Sequence, residues 1–470
     1  MLREARLAVL VFLLAAGGSL SVLALLDRED NPPEHGPVTV DPDEPDPFAY
    51  EPDREEEFVA RATAGHSHVL YEKSPGGVFA TARRVERWRE AIEEHANIVD
   101  VDPDLLEAMV FLESAGYPDA RASDDLGGAV GLTQILAETG TSLLGMHVDV
   151  EESERLTRRI ARAEESGDAA RARRLRARRA RIDERFNPDD ALQGAGRYLK
   201  IAEERFGSEE LAVVSYHMGI GNLEDVLTAY GEEEVSWAQV YFDATPSAHP
   251  DTYALLSGFG DDSATYLWRV YAAREVMRLY REDRAELRRL AELQTAKASA
   301  EEVLHPRSDT HVYETPEELE EAYLSGRLRP FTDVRGMRLD PDTGELARRL
   351  DAEPRLYRGL RQEAHELAVY LAAGVRDVAA TRASLTVTST VRDVEYQRVL
   401  VRRNDFATRA YSLHTTGYSF DVRRDYASRA QAVAFEYMLD RLQSLNLIAW
   451  IREPGAIHIT ASREAGRLIQ

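Results

Sequence analysis

The sequence predicts a multidomain chain: an N-terminal transmembrane helix, a mainly α-helical domain, and then a smaller α+β domain. Three observations lead there. Residues 7–26 are uncharged, apolar residues recur at helical spacing from about residue 81 to 292, and beyond about residue 346 short β-branched runs alternate with helical patterns. At 470 residues the chain exceeds one ordinary core, which suggests two domains plus connecting segments.

The first element follows from its flanks. Arg3 and Arg6 precede the uncharged stretch and acidic residues follow it at once. About 20 apolar residues suffice to cross a bilayer core, and the basic side stays in the cytoplasm. The expectation for residues 1–26 is therefore a single-pass anchor in the cell membrane, with everything after it on the extracytoplasmic side. A cleaved signal peptide is the alternative, since residues 15–19 offer small side chains, but cutting there leaves "VLALL" at the start of the mature chain. Residues 27–80 are expected to form a tether, because the Asp-, Glu- and Pro-rich run up to about residue 57 carries too little apolar surface to fold.

The helical domain is expected over residues 81–292. Asp102 and Pro103 supply an N-cap and a first-turn proline for the helix carrying "DLLEAMVFLES", whose buried stripe would be Leu105, Leu106, Met109, Val110 and Leu112, with Glu113 at its end. Residues 151–185 hold twelve arginines and eight acids with few large apolar residues, which reads as a charged helical insertion in this domain, a solvated hairpin hinged near Gly167. Residues 293–345 are polar and proline-containing and are expected to be a linker. In residues 346–470, "ASLTVTST" and "AIHIT" read as strands and residues 425–445 as a helix.

Composition excludes several functions. The balance of 58 basic against 83 acidic residues, a net charge of −25, argues against nucleic acid as a partner. There is no cysteine, so disulfides, thiol catalysis, Cys-ligated zinc and an acylated lipoprotein cysteine are all excluded.

The chemistry-bearing residues fall into two constellations. In the first, Glu113 ends an apolar helix beside Phe111 and Leu112, where a carboxyl keeps its proton longer than in water. A protonated carboxyl is what glycosidic cleavage needs for its leaving oxygen. Glu113 is followed in order by "GAVGLTQI", "NPDDALQGAGRYL", "LAVVSYHMGIGN" and "SATYLWRVYA". These pieces, in this order, resemble the soluble lytic transglycosylase family, whose catalytic domain has a lysozyme-like fold.

The resemblance implies that Glu113 protonates the bond between N-acetylmuramic acid and N-acetylglucosamine in peptidoglycan. It then accepts the proton of the muramic 6-hydroxyl, giving a 1,6-anhydro sugar with no cofactor. It further implies that Ser114, Gln134 and Tyr216 line the cleft and bind substrate, with Tyr216 hydrogen-bonded to the glutamate. Tyr266 falls in the closing helix, where packing is the expectation. Thr133 and His217 depart from the family pattern, which usually has Met and Asn there.

In the second constellation, "SLHTTGYSFD" sets His414 and Asp421 seven residues apart across a glycine turn, and His458 follows in "GAIHIT". Two imidazoles and a carboxylate suit a zinc ion with one open position. This stretch is similar to the zinc D-alanyl-D-alanine carboxypeptidase and endopeptidase families of bacterial walls, matching at Ser412, His414, Gly417 and Asp421. The similarity implies His414, Asp421 and His458 as metal ligands and Arg392 as the residue that binds the substrate carboxylate. Where that family usually places its general base, three residues before the last histidine, this chain has Gly455, so Glu453 is the catalytic candidate.

The expected whole is a membrane-anchored wall enzyme that cleaves glycan and also carries a domain for trimming stem peptides. Two alternatives stay open: a wall-binding scaffold in which one or both sites are silent, and a hydrolytic lysozyme.

Overall fold

The computed structural model describes residues 46–232, 234–403 and 407–469. The proposed anchor and the first part of the tether lie outside the described residues. Among those described, no helix is long and apolar enough to cross a membrane. The chain divides into two compact units. One comprises Val69–Tyr241 and Asp251–Arg288, and the other comprises the described part of Val22–His68 together with Phe242–Pro250 and Arg289–Gln470.

The first unit is helical. Its central helix, Pro103–Ser114, starts as the sequence suggests: Asp102 accepts the amide of Asp104 at 2.8 Å and Pro103 occupies the first turn. It ends where Ala115 turns left-handed at φ 51°. The expected stripe is incomplete, because every residue from Leu105 to Leu112 is buried. Helices Val78–Glu86, Arg89–Val99 and Tyr266–Glu282 pack around it, so its surroundings leave little solvent-facing side. Glu107 is fully buried in this helix, held between Arg281 at 2.6 Å and Arg89 at 3.3 Å.

The basic segment is a helical hairpin, Val150–Glu165 and Ala169–Ile182, turning at Gly167 with φ 74°. Leu156, Ile160, Ala163, Ala172 and Leu175 form a buried seam between its helices. It is not only a solvated face: Arg176 and Arg179 both pair with Asp119.

The second unit is α+β. Its main sheet runs β2-β4-β5-β7-β6, built from β2 (Met337–Leu339), β4 (Leu385–Ser389), β5 (Ser419–Arg423), β6 (Ile448–Arg452) and β7 (Ala456–Ala461). A small pair joins β1 (Arg329–Pro330) to β3 (Gly359–Leu360). β2 and β4 are parallel and the remaining neighbours antiparallel. Helices Gln362–Val378 and Arg429–Ser444 pack on each other and on the sheet.

Two expected connectors are folded. Within the tether range, residues 55–65, 68–73 and 78–86 are helices. Phe48 and Phe58, which the surrounding acids mask in any composition reading, are fully buried in the second unit, Phe48 edge-on to Tyr370 and Phe58 to Phe242. The linker range carries helices Glu301–Leu304 and Pro316–Leu324 as well as β1 and β2. Tyr313, Leu319, Ala322 and Leu328 bury into one cluster with Tyr357 and Val391. The polar and proline residues there suggest a spacer, but these scattered apolar anchors supply the burial that folds it.

Candidate functional site

In the helical unit, Glu113, Ser114, Gln134 and Tyr216 line one cleft of about 300 Å³, together with His217, Asp262 and Tyr266. The expectation that Tyr216 holds the glutamate is corrected. Tyr266 donates to Glu113 Oε1 at 2.6 Å, whereas Tyr216 donates to the Thr133 carbonyl at 2.7 Å. Tyr266 is 153 positions from Glu113, so no local spacing announces the pair. His217 stacks on Tyr266 with centroids 5.0 Å apart, accepts or donates at Ser263 Oγ 3.0 Å away, and lies 3.4 Å from Asp262.

Burial pushes the Glu113 carboxyl up to about 7. His217 and the Tyr266 hydroxyl pull it back down, and Asp262 adds to the rise. A group poised near neutrality can both give and take a proton. The two other cleft carboxylates are engaged by arginine: Asp262 with Arg269, and Asp119 with Arg176 and Arg179.

The glycine loop is held in a way that the sequence alone did not announce. Arg185 is fully buried, pairs with Asp183 at 2.9 Å, and donates to the carbonyls of Leu126 (2.8 Å), Gly128 (3.0 Å) and Ile135 (3.2 Å). Gly131 sits at φ 84°, and a Cβ there would lie 1.8 Å from the Arg185 carbonyl oxygen, so only glycine fits. Gln134 is itself left-handed at φ 52°, with its amide donating to the Gly131 carbonyl at 2.9 Å. Thr133 is an interior residue bonded to the Ala191 carbonyl. Asp125 caps the amide of Gly127, and both Asp124 and Asp125 are exposed in the loop.

In the second unit the sheet register places Asp421 opposite His458 across β5 and β7, and opposite Ser389 across β4. His414 comes from the turn Leu413–Thr416 just before β5. That turn closes at Gly417 with φ 80°, where a Cβ would crowd Leu328 at 2.9 Å. His414 Nε2 lies 3.1 Å and His458 Nδ1 2.8 Å from Asp421 Oδ1.

His414 Nδ1 donates to the Thr390 carbonyl at 2.8 Å, which leaves the Nε2 lone pair facing the cluster. The three ligand atoms lie within 4.8 Å of one another, so two imidazoles and a carboxylate converge in a donor set that suits a divalent cation such as zinc. Burial lowers His414 to about 4. Burial opposes charge on His458 too, but its bonds to Asp421 and Glu301 outweigh that and raise it to about 10.

Arg392 donates to Ser389 Oγ at 2.7 Å, Gln397 Oε1 at 3.0 Å and Asp421 Oδ2 at 3.3 Å, so its guanidinium edges the cluster. Ser412 is buried at the entry to the turn. Glu453 is exposed in the β6–β7 turn. Its carboxyl is raised by partial burial and by the charge of Asp421, against the opposing pull of His458 and Arg392. Gly455 in the same turn has open space around it.

The family model for the Transglycosylase SLT domain matches residues 168–236. The match takes in the second hairpin helix, the "NPDDALQ" helix and the segment bearing Tyr216 and His217, and stops short of Glu113 and Tyr266. A comparison with curated proteins finds no match. The central region is thus similar to the transglycosylase SLT domain, which supports a lytic-transglycosylase-like, peptidoglycan-acting enzyme.

Proposed function

We propose that the chain is a membrane-anchored peptidoglycan lytic transglycosylase with Glu113 as its single acid and base. The observation that carries this reading is the cleft's set of carboxylates. Glu113 packs against a tyrosine, has no arginine partner and has its carboxyl pushed up to about 7 by burial, while Asp119 and Asp262 are tied to arginines. A hydrolytic lysozyme wants a second carboxylate free to activate water or to stabilise the cation. Here the substrate's own acetamido group takes the second role, and the muramic 6-hydroxyl replaces water as the nucleophile.

Glu113 gives its proton to the leaving oxygen and then accepts the 6-hydroxyl proton as the anhydro ring closes. Tyr266 holds the carboxylate between the two transfers, and Gln134 and Ser114 bind sugar. Digestion of peptidoglycan in oxygen-18 water tests this. The transglycosylase reading expects anhydro ends with no label at the cleaved anomeric carbon, and labelled reducing ends would replace it with hydrolysis.

For the second unit we propose a zinc site for stem peptides, with His414, Asp421 and His458 as ligands and Arg392 facing the peptide carboxylate. When bound, zinc would supply Lewis-acid activation of water and of the scissile carbonyl. Glu453, exposed in the β6–β7 turn, is the candidate base. A silent site that binds zinc and peptide is the reading that follows if Glu453 does not reach the metal-bound water.

A further inference from the structure

We infer that Glu301, from the segment between the two sequence-defined domains, is a positioning residue for the metal cluster of the second unit. The inference rests on the zinc reading above. Glu301 opens the short helix Glu301–Leu304, far in sequence from every other cluster residue. Its Oε2 lies 2.8 Å from His458 Nε2 and accepts the Thr460 hydroxyl at 3.0 Å, while Lys297 holds Oε1 at 2.7 Å.

The ring of His458 therefore has two distinct sides. Nδ1 faces Asp421, and through it the convergent ligand atoms, while Nε2 faces Glu301. For His458 to ligate through Nδ1, the ring must keep its proton on Nε2 and must not rotate. A fixed carboxylate at Nε2 enforces both, and a charged acceptor there makes the other nitrogen a stronger donor to a cation. Lys297 and Thr460 keep the carboxylate from swinging away. His414 is oriented by a neutral backbone carbonyl instead, so the two histidines are set by acceptors of different charge.

Glu301 cannot itself be a base for the reaction, because it stands behind the ring rather than beside the converging atoms. Its segment is buried in the same unit: His305, four residues on, lies 2.6 Å from the Ala461 carbonyl and stacks on Tyr418 at 3.8 Å. A stretch that looked like a spacer thus presents a carboxylate to the site.

The test is zinc affinity of the full chain, by competition with a chromophoric chelator, for wild type, Glu301→Gln, Glu301→Asp and His414→Ala. The visible spectrum of the cobalt-substituted form and the thermal midpoint of each metal-free form are recorded alongside. The expected result is tight binding by wild type, loss in His414→Ala, and a roughly 10- to 100-fold weaker constant in Glu301→Gln with an altered cobalt spectrum. Glu301→Asp, which keeps the charge, should recover part of the affinity.

If wild type binds zinc and Glu301→Gln binds within about twofold of it with an unchanged cobalt spectrum, the inference is overturned while the metal site stands. Equal losses in the Gln and Asp variants, with both metal-free midpoints lowered, would also overturn it by assigning Glu301 to the fold. If wild type binds no zinc, the metal reading itself fails and takes the inference with it.

Discussion

Glu113 and Asp421 are both carboxylates enclosed by protein, and their proton affinities are driven in opposite directions. Around Glu113 stand aromatic rings, one tyrosine hydroxyl and a histidine, and burial wins: the carboxyl rises to about 7. Asp421 is desolvated too, yet the charges and hydrogen bonds of His414 and His458 hold it well below the usual carboxylate range. Glu107, two turns before Glu113 on the same helix, makes an intermediate case. Burial raises it, but two arginines oppose the rise. Desolvation alone does not decide the state of an enclosed acid; the charge placed beside it decides whether it holds its proton or stays ionised.

The contrast should break most severely at Asp421. Asp421→Asn leaves His458 and Arg392 without their shared anion, and removing one partner of a buried charge network costs about 3–5 kcal/mol. Denaturant midpoints of the metal-free chain measure this, and a change under about 1 kcal/mol would mean the cluster is not compensated as described.

At Glu113 the sign reverses. Its folded carboxyl titrates near 7, above the ordinary 4.5, so its contribution to stability is complete below about pH 4.5 and lost as pH rises through 7. Glu113→Gln escapes that loss. The variant should match wild type near pH 4 and be more stable at pH 8 by about 1–3 kcal/mol, a discounted figure because the group opens onto the cleft. Equal stability at pH 8 would remove the uncompensated carboxyl.

Smaller effects sharpen the role of Tyr266. Glycan cleavage by wild type should fall as pH rises through about 7, as the acid form of Glu113 is depleted. The Tyr266 hydroxyl lowers the Glu113 value, so Tyr266→Phe should move this limb to higher pH and lower the maximal rate roughly tenfold. An unmoved limb would assign Tyr266 to packing, and Tyr216→Phe serves as the comparison because its hydroxyl serves Thr133.

Much of this was readable in the sequence where the cause is local. The Asp102 cap, the turn at Gly167, the glycine turn at Gly417 and the strand carrying His458 all follow from short-range patterns. What was missed depends on distant partners. Tyr266 meets Glu113, Arg185 clamps carbonyls some 50 to 59 positions away, and Glu301 meets His458 across 157 positions. No periodicity encodes such pairings. The folded residues 46–68 and 293–345 were missed for a related reason: a few aromatic and aliphatic anchors in a polar background outweigh the average composition once they reach a common core.

The most direct test is mass spectrometry of peptidoglycan digested by wild type, Glu113→Gln and His414→Ala. The proposal expects 1,6-anhydro muropeptides from wild type and from His414→Ala, reduced roughly 10³-fold in Glu113→Gln. Anhydro products persisting at full yield in Glu113→Gln, or none from wild type, would contradict it.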